Sequence, residues 1–242
     1  MQRYFSLSNK VIEISNDDIY HILKVMRGKV GDCFEVVKDN DVIICEITST
    51  SPFEVREIET LSSQSELNKD ITLFYCLAKG DKNDLVIQKC TELGVKNIVF
   101  LSSKRSIIKL SQDDFNKKKV RFEKIAKEAS EQSKRTRVPS IYGLYDINHI
   151  PNELLTSLNL VAYELENGKT NKTSEFFHEF KSNLDSVSVL IGPEGGLEKE
   201  EIISLEKQGF KTISLGKRIL RTETAAIYAL SVLSFVLENE NE

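Results

Sequence analysis

Residues 215–230 read LGKRILRTETAAIYAL, which sets Arg218, Arg221 and Glu223 at the mouth of an otherwise apolar helix. Guanidinium and carboxylate groups bind anions and move protons, and they are costly among apolar neighbours unless paired or used. Pairing of Arg218 or Arg221 with Glu223 or Glu194 would satisfy them structurally; a role in chemistry is the preferred reading. Just upstream, SVSVL runs into IGPEGGLEKEE, so Gly192, Pro193, Glu194, Gly195 and Gly196 turn the chain before a helix. Glycine lets a ligand approach the backbone closely. The loop has no GK[ST] ending, Pro193 removes an amide donor, and Glu194 brings negative charge to where a phosphate would sit, so a nucleoside triphosphate is a poor fit. A neutral or cationic heterocycle suits it better, against the plainer reading of a tight turn. Gly216 plays the same backbone part in the second loop, and VAYELENGK offers Tyr163 and Glu164 from a third strand end.

These residues need a scaffold of strands. The first sixty residues contain β-rich runs, GDCFEVV and DVIICEIT, separated by KDND, which predicts a hairpin over about Cys33–Thr48 with FEVREIE as a further strand. Ahead of them, NDDIYHILKVMRGKVGD predicts a helix capped by Asn16 or Asp17, with Ile19, Ile22, Leu23 and Met26 on one face and an end at Gly28 and Gly31. The polar stretch LSSQSELNKD reads as a linker, which separates a domain over 1–67 from one over 70–242.

Beyond it strands and helices alternate. ITLFYCLA, KNIVFL, SIYGLY, LNLVAYEL, SVSVLIG and KTISLG read as strands; NDLVIQKCTELGV, the basic FNKKKVRFEKIAKEASEQS, and segments near 151–157, 174–181 and 198–208 read as helices. In the basic helix Phe115, Phe122, Ile125 and Ala129 face inward. Such alternation predicts an α/β domain with a mainly parallel sheet, whose ligands bind beyond the carboxyl ends of the strands. The last helix, Glu223 to Leu237, is apolar on nearly all sides, which points to burial against a second copy in a homodimer.

Composition bounds the function. Hydrophobic residues are 40% and charged residues 29% of 242, the profile of a folded globular protein. No export signal opens the chain and no apolar run reaches the roughly 20 residues of a membrane span, so the expectation is a cytoplasmic protein with no membrane association. Four cysteines without a CxxC pair and three scattered histidines signal neither a metal site nor a disulfide framework, and each cysteine is expected to be a buried thiol. The net charge of −4 hides an asymmetry: between Lys104 and Arg137 twelve Lys or Arg stand against five Asp or Glu. Either this is a solvated helix face or it contacts a polyanion.

The two glycine loops in this order, with KGDKNDLVIQKCTELGV, EASEQSKR and HILKVMRGKVGD, resemble the SPOUT-class RNA methyltransferases, most closely the ribosomal RNA small subunit methyltransferase E family. The resemblance implies a PUA-like β-barrel at the N-terminus and a SPOUT-type α/β domain carrying a C-terminal trefoil knot. It implies S-adenosylmethionine (SAM) as methyl donor, a homodimer, and uridine N3 in 16S ribosomal RNA as acceptor, with the target nucleotide left open. By position the donor pocket would use Tyr163, Glu164, Ile191, Gly192, Pro193, Gly196, Leu215, Gly216, Ile219, Leu220, Arg221, Thr224 and Ala225. Lys217 stands where many members carry proline or a small residue. Arg221, with Arg135 from the facing subunit, would stabilise the uracil oxygens, while Glu223 or Glu164 orients groups or accepts the proton. Phosphate contacts are expected from Arg3, Lys24, Arg27, Lys29, Lys104, Arg105, Lys117, Lys118, Lys119, Arg121, Arg135 and Arg137. Two alternatives are a non-catalytic RNA-binding assembly protein on the same fold and methylation of another RNA; the intact loops speak against the first, the N-terminal and EASEQSKR segments against the second.

Overall fold

The structure, a computed structural model, describes residues 1–163 and 184–238. The chain divides into two compact units, Met1–Glu66 with Ser130–Arg137, and Leu67–Ala129 with Val138–Glu242. The helix expected near 174–181 and the candidate residue Glu164 lie outside the described residues.

The first unit holds β1 (Arg3–Phe5), α1 (Asn16–Tyr20), β2 (Cys33–Lys38), β3 (Asp41–Thr50) and β4 (Phe53–Leu61). Its sheet has the order β1-β2-β3-β4, with β1 parallel to β2 and the remaining pairs antiparallel; the described strands do not close into a barrel. The β2–β3 hairpin turns through Asp39 and Asn40, both at positive φ (52° and 69°), the two-residue geometry whose twist matches that of the strands. Tyr4, Ile22, Phe34, Val36, Ile43, Cys45 and Ile47 form the core.

Helix α1 departs from expectation in three ways. Its cap is Ser15, whose hydroxyl accepts from the Asp18 amide at 3.1 Å, rather than Asn16 or Asp17. After five residues it widens into a π-helical segment, His21–Val25. The wider turn rotates the following positions off the apolar face, so Ile22 is buried but Met26 is 56% exposed.

Residues 130–137 cluster with this unit through charge. Glu35 accepts from Arg3 at 2.7 Å and from Lys134 at 3.1 Å. Burial pushes the Glu35 carboxyl up, but those two cations outweigh it and hold it below the usual carboxylate range. Glu66, in the stretch that reads as a featureless linker, accepts from the Arg135 guanidinium at 2.6 Å and from the Thr136 and Arg137 amides at 2.8 and 3.2 Å. The Arg135 side chain is 4% exposed.

The second unit contains β5 (Asp70–Cys76), α2 (Lys82–Glu92), β6 (Asn97–Ser102), α3 (Gln112–Gln132, its last residues in the first unit), β7 (Ser140–Asp146), β8 (Leu158–Ala162), β9 (Ser186–Ile191), α4 (Lys199–Lys207), β10 (Phe210–Ile213) and α5 (Thr222–Glu238). The region near 151–157 forms only a 3-10 turn, Asn152–Leu154. The six strands pair in parallel throughout, in the order β10-β8-β9-β5-β6-β7. Their near-continuous apolar runs follow from burial on both faces. One face packs Leu73, Tyr75, Phe100 and Ile191 with α2, α3 and α5; the other packs Phe74, Val99 and Leu190 with α4 residues Ile202 and Leu205. Phe115 and Phe122 of α3 are buried as expected and cluster on Phe100, at ring distances of 5.7 and 5.0 Å.

Three cysteines are buried and Cys33 is not: it is the first residue of β2, ahead of the residues that pair with β1, and is exposed. Burial pushes the Cys45 and Cys76 thiols up to about 12 and raises Cys90 as well. At pH 8 the native protein should therefore release about one equivalent of chromophore rapidly from a disulfide reagent, and the remaining thiols only on unfolding; three or more fast thiols would contradict this packing. Glu66→Ala leaves the Arg135 charge enclosed without its carboxylate and should cost about 3 kcal/mol or more in chemical denaturation.

Candidate active site

Parallel pairing in register aligns four strand ends in one row. Tyr75 of β5 is opposite Ile191 of β9, β8 ends at Ala162 beside β9, and Ala162 is opposite Ile213 of β10. The chain segments leaving these ends, 77–81, 192–198, 163 and 214–221, emerge at one edge of the sheet. Two of the neighbouring strands, β5 and β9, continue to opposite sides of the sheet, the arrangement that opens a crevice at their carboxyl ends.

A cleft of about 110 Å³ lies there. Tyr163, Ile191, Gly192, Pro193, Gly196, Leu215, Gly216, Ile219, Leu220 and Ala225, all singled out from sequence, line it. Ala162, Leu197, Arg218 and Thr222 line it too. Arg221 and Thr224 are exposed and outside the lining. Gly196 and Gly216 have φ of 71° and 115°, backbone states that favour glycine. A Cβ on Gly192 would sit 2.8 Å from Leu197 Cγ, so this turn closes only because no side chain intervenes. The lining combines the aliphatic side chains of Ile191, Leu197, Leu215, Ile219 and Leu220 and the backbone of three glycines with the polar side chains of Tyr163, Arg218 and Thr222.

The glutamates are not paired with the arginines. Lys82, at the start of α2, reaches Glu194 at 3.1 Å and Glu223 at 3.6 Å. The Lys79 amide donates to Glu194 at 3.2 Å. Burial pushes the Glu194 carboxyl up, but its own amide, the Lys79 amide and the Lys82 ammonium hold it below the usual range. The Tyr75 hydroxyl donates to Thr222 Oγ1 at 3.2 Å, and Thr222 donates to Glu223 at 3.2 Å. Thr222 is the first residue of α5, whose opening bond runs from the Ala225 amide to the Arg221 carbonyl. Arg218 and Arg221 have no ion pair among the described residues and face solvent. Lys82 was not apparent from sequence, because nothing in local spacing connects position 82 with 194 and 223.

The basic residues sort into two sets. Lys104 and Arg105 brace the glycine loop: Lys104 pairs with Glu198, its amide donates to Glu201 at 2.8 Å, and Arg105 donates to the Gly195 carbonyl at 3.1 Å. Arg121 pairs with Asp84 at 2.5 Å, Lys117 with Asp114, Lys119 with Glu123, Arg3 with Glu35, and Arg137 donates to Asn40. Arg135, held by Glu66, belongs to the first unit. Lys24, Arg27, Lys29 and Lys118 are exposed with no ion pair among the described residues. No group of three or more metal-ligating side chains occurs among the described residues, and no described helix is long and apolar enough to cross a membrane.

Gly192→Ala should lower stability by about 1–3 kcal/mol, the usual cost of forcing an extra methyl into a packed turn, with the loss read as a drop in melting temperature. An unchanged melting temperature would mean that Leu197 yields freely.

The model of an RNA methyltransferase domain family matches residues 65–234. The ribosomal RNA small subunit methyltransferase E of Bacillus subtilis (strain 168) is 38% identical, with 98% of each chain covered. A candidate methyltransferase from Legionella pneumophila, solved in complex with SAM, superposes with a TM-score of 0.84 at 30% identity, covering 97% of both chains. A ribosomal RNA small subunit methyltransferase E from Neisseria gonorrhoeae, solved bound to SAM, has the same fold with a TM-score of 0.83 at 24% identity, covering 98% of both chains. With a family match over most of its length and a full-length relative at this identity, the chain belongs to the ribosomal RNA small subunit methyltransferase E family of RNA methyltransferases.

Proposed function

We propose that the protein methylates N3 of a uridine in 16S ribosomal RNA with SAM as donor, acting in the cytoplasm as a homodimer on the small ribosomal subunit. The observation that carries this reading is the cleft where three adjacent parallel strands deliver Tyr163 and two glycine loops to one edge. Its aliphatic side chains and glycine backbone suit an adenosine and a sulfonium. When bound, SAM supplies an electrophilic methyl group on a cationic sulfur. Transfer to a uridine anion removes both charges, which a dry pocket walled by Ile191, Leu215 and Leu220 favours.

Arg221 is assigned to the uracil oxygens. It is exposed beside the cleft and has no ion pair among the described residues, so its charge is available to an enolate-like anion. Glu223, which already accepts from Thr222 and faces Lys82, orients that edge of the cleft. Arg135 would have to release Glu66 to reach a nucleotide, and the uracil contact is assigned to Arg221 without it. Among the cations expected at phosphates, Lys24, Arg27, Lys29 and Lys118 are exposed with no ion pair among the described residues and are assigned to that contact, which makes binding salt-dependent. In this reading the first unit, whose described strands form an open sheet, takes the place of the family's PUA-like domain, and the loops 192–198 and 214–221 belong to a trefoil knot. Exposed apolar side chains on and before α5, Ile219 at 82% and Tyr228 at 46%, favour a second copy as their cover.

Calorimetric titration with SAM should give saturable binding, and Arg221→Ala should lower methylation of unmodified small subunits by about 100-fold or more while the variant still sediments as a dimer. Undiminished turnover would remove Arg221 from the mechanism. RNA binding without SAM binding would favour the non-catalytic assembly role.

A further inference from the structure

We propose that Lys82 is a positioning residue that holds the two glycine loops of the cleft in their SAM-binding arrangement by bridging Glu194 and Glu223. This rests on the SAM-binding reading above. One carboxylate belongs to the first loop, between cleft residues Pro193 and Gly196; the other follows cleft residue Thr222 at the end of the second. The two loops leave β9 and β10, which are not neighbours in the sheet, because β8 separates them. Strand pairing alone therefore does not set their separation at this point, and the Lys82 ammonium of α2 contacts a carboxylate from each.

The surroundings make that contact matter. The Glu194 side chain is 20% exposed and the Glu223 side chain 13%. Glu194 Oε2 is enclosed without a hydrogen-bond partner, so this carboxylate has exchanged water for Lys82 and the Lys79 amide. Glu223 is in turn fixed by Thr222 and, through it, by Tyr75 at the end of β5. A chain of polar contacts thus runs from the central strand through the head of α5 to Lys82 and the first loop. Without the ammonium, two poorly solvated like charges face one another across the gap, and their repulsion drives the loops apart. Lys82 lines no part of the cleft, so its effect on the donor is exerted through the loops.

The test is calorimetric SAM titration of the full chain and of Lys82→Arg, Lys82→Met and the double variant Lys82→Met/Glu194→Gln, with melting temperatures and steady-state methylation. Lys82→Arg keeps the cation and should bind SAM within about threefold of the parent. Lys82→Met should bind about tenfold more weakly, with KM for SAM raised and kcat at saturating SAM close to the parent's. The double variant, in which one of the facing charges is neutralised, should recover most of the loss. A folded Lys82→Met that binds SAM as the parent does, or a folded double variant that recovers nothing, overturns the proposal. If Lys82→Met does not fold, the double variant decides: binding near the parent's value supports the bridge, and weak binding sinks it. Failure of the parent chain itself to bind SAM overturns the donor reading and the bridge with it, and is recognised before any variant is compared.

Discussion

The parallel pairing of β8, β9 and β10 is the constraint on which the rest depends. A parallel ladder sends every following loop to the same edge, and the register of these strands brings Ala162, Ile191 and Ile213 side by side there. Everything that lines the cleft leaves from that row or from the head of α5. An antiparallel neighbour would have carried one of the loops to the opposite edge, some strand length away, and no arrangement of side chains could have recovered the cleft.

Given that edge, the loops still have to be shaped. Gly192, Gly196 and Gly216 shape them by what they lack: a side chain would strike Leu197 at the first, and backbone conformation favours glycine at the other two. Charge then braces the shape from two sides. Lys104 and Arg105 hold the far side of the first loop, through Glu198, Glu201 and the Gly195 carbonyl. Lys82 and the Lys79 amide hold the near side through Glu194. The charged residues of the cleft region are therefore of two kinds, those that are paired and shape the loops and those, Arg218 in the lining and Arg221 next to it, that are exposed with no ion pair among the described residues.

The same division changes how the basic stretch between Lys104 and Arg137 is understood. Read as a list, it is a strip of cations suited to RNA. In three dimensions Lys104 and Arg105 brace a loop, Arg121 is paired with Asp84, and Arg135 is enclosed with Glu66. The positive charge this stretch leaves for phosphates is smaller than the count suggests, and Lys24, Arg27 and Lys29, outside it, are also exposed with no ion pair among the described residues.

The amino-acid sequence alone was sufficient for the features that depend on local pattern and on motif. The β2–β3 hairpin, the buried strands of the second unit, the inward faces of α3 and the two glycine loops follow from periodicity and from turn residues whose backbone demands are local, and the family likeness lay in those loops together with the segments at 21–32, 79–95 and 128–135. What only the tertiary structure decided is which charges meet. Lys82 with Glu194 and Glu223, Glu66 with Arg135, and Tyr75 with Thr222 join positions 69 to 147 residues apart. No spacing rule encodes such pairs, because each partner's environment exists only after the sheet has assembled. The widened turn at His21–Val25, the exposed Cys33 and the Ser15 cap were likewise set by packing, where a residue or two of register decides between burial and solvent.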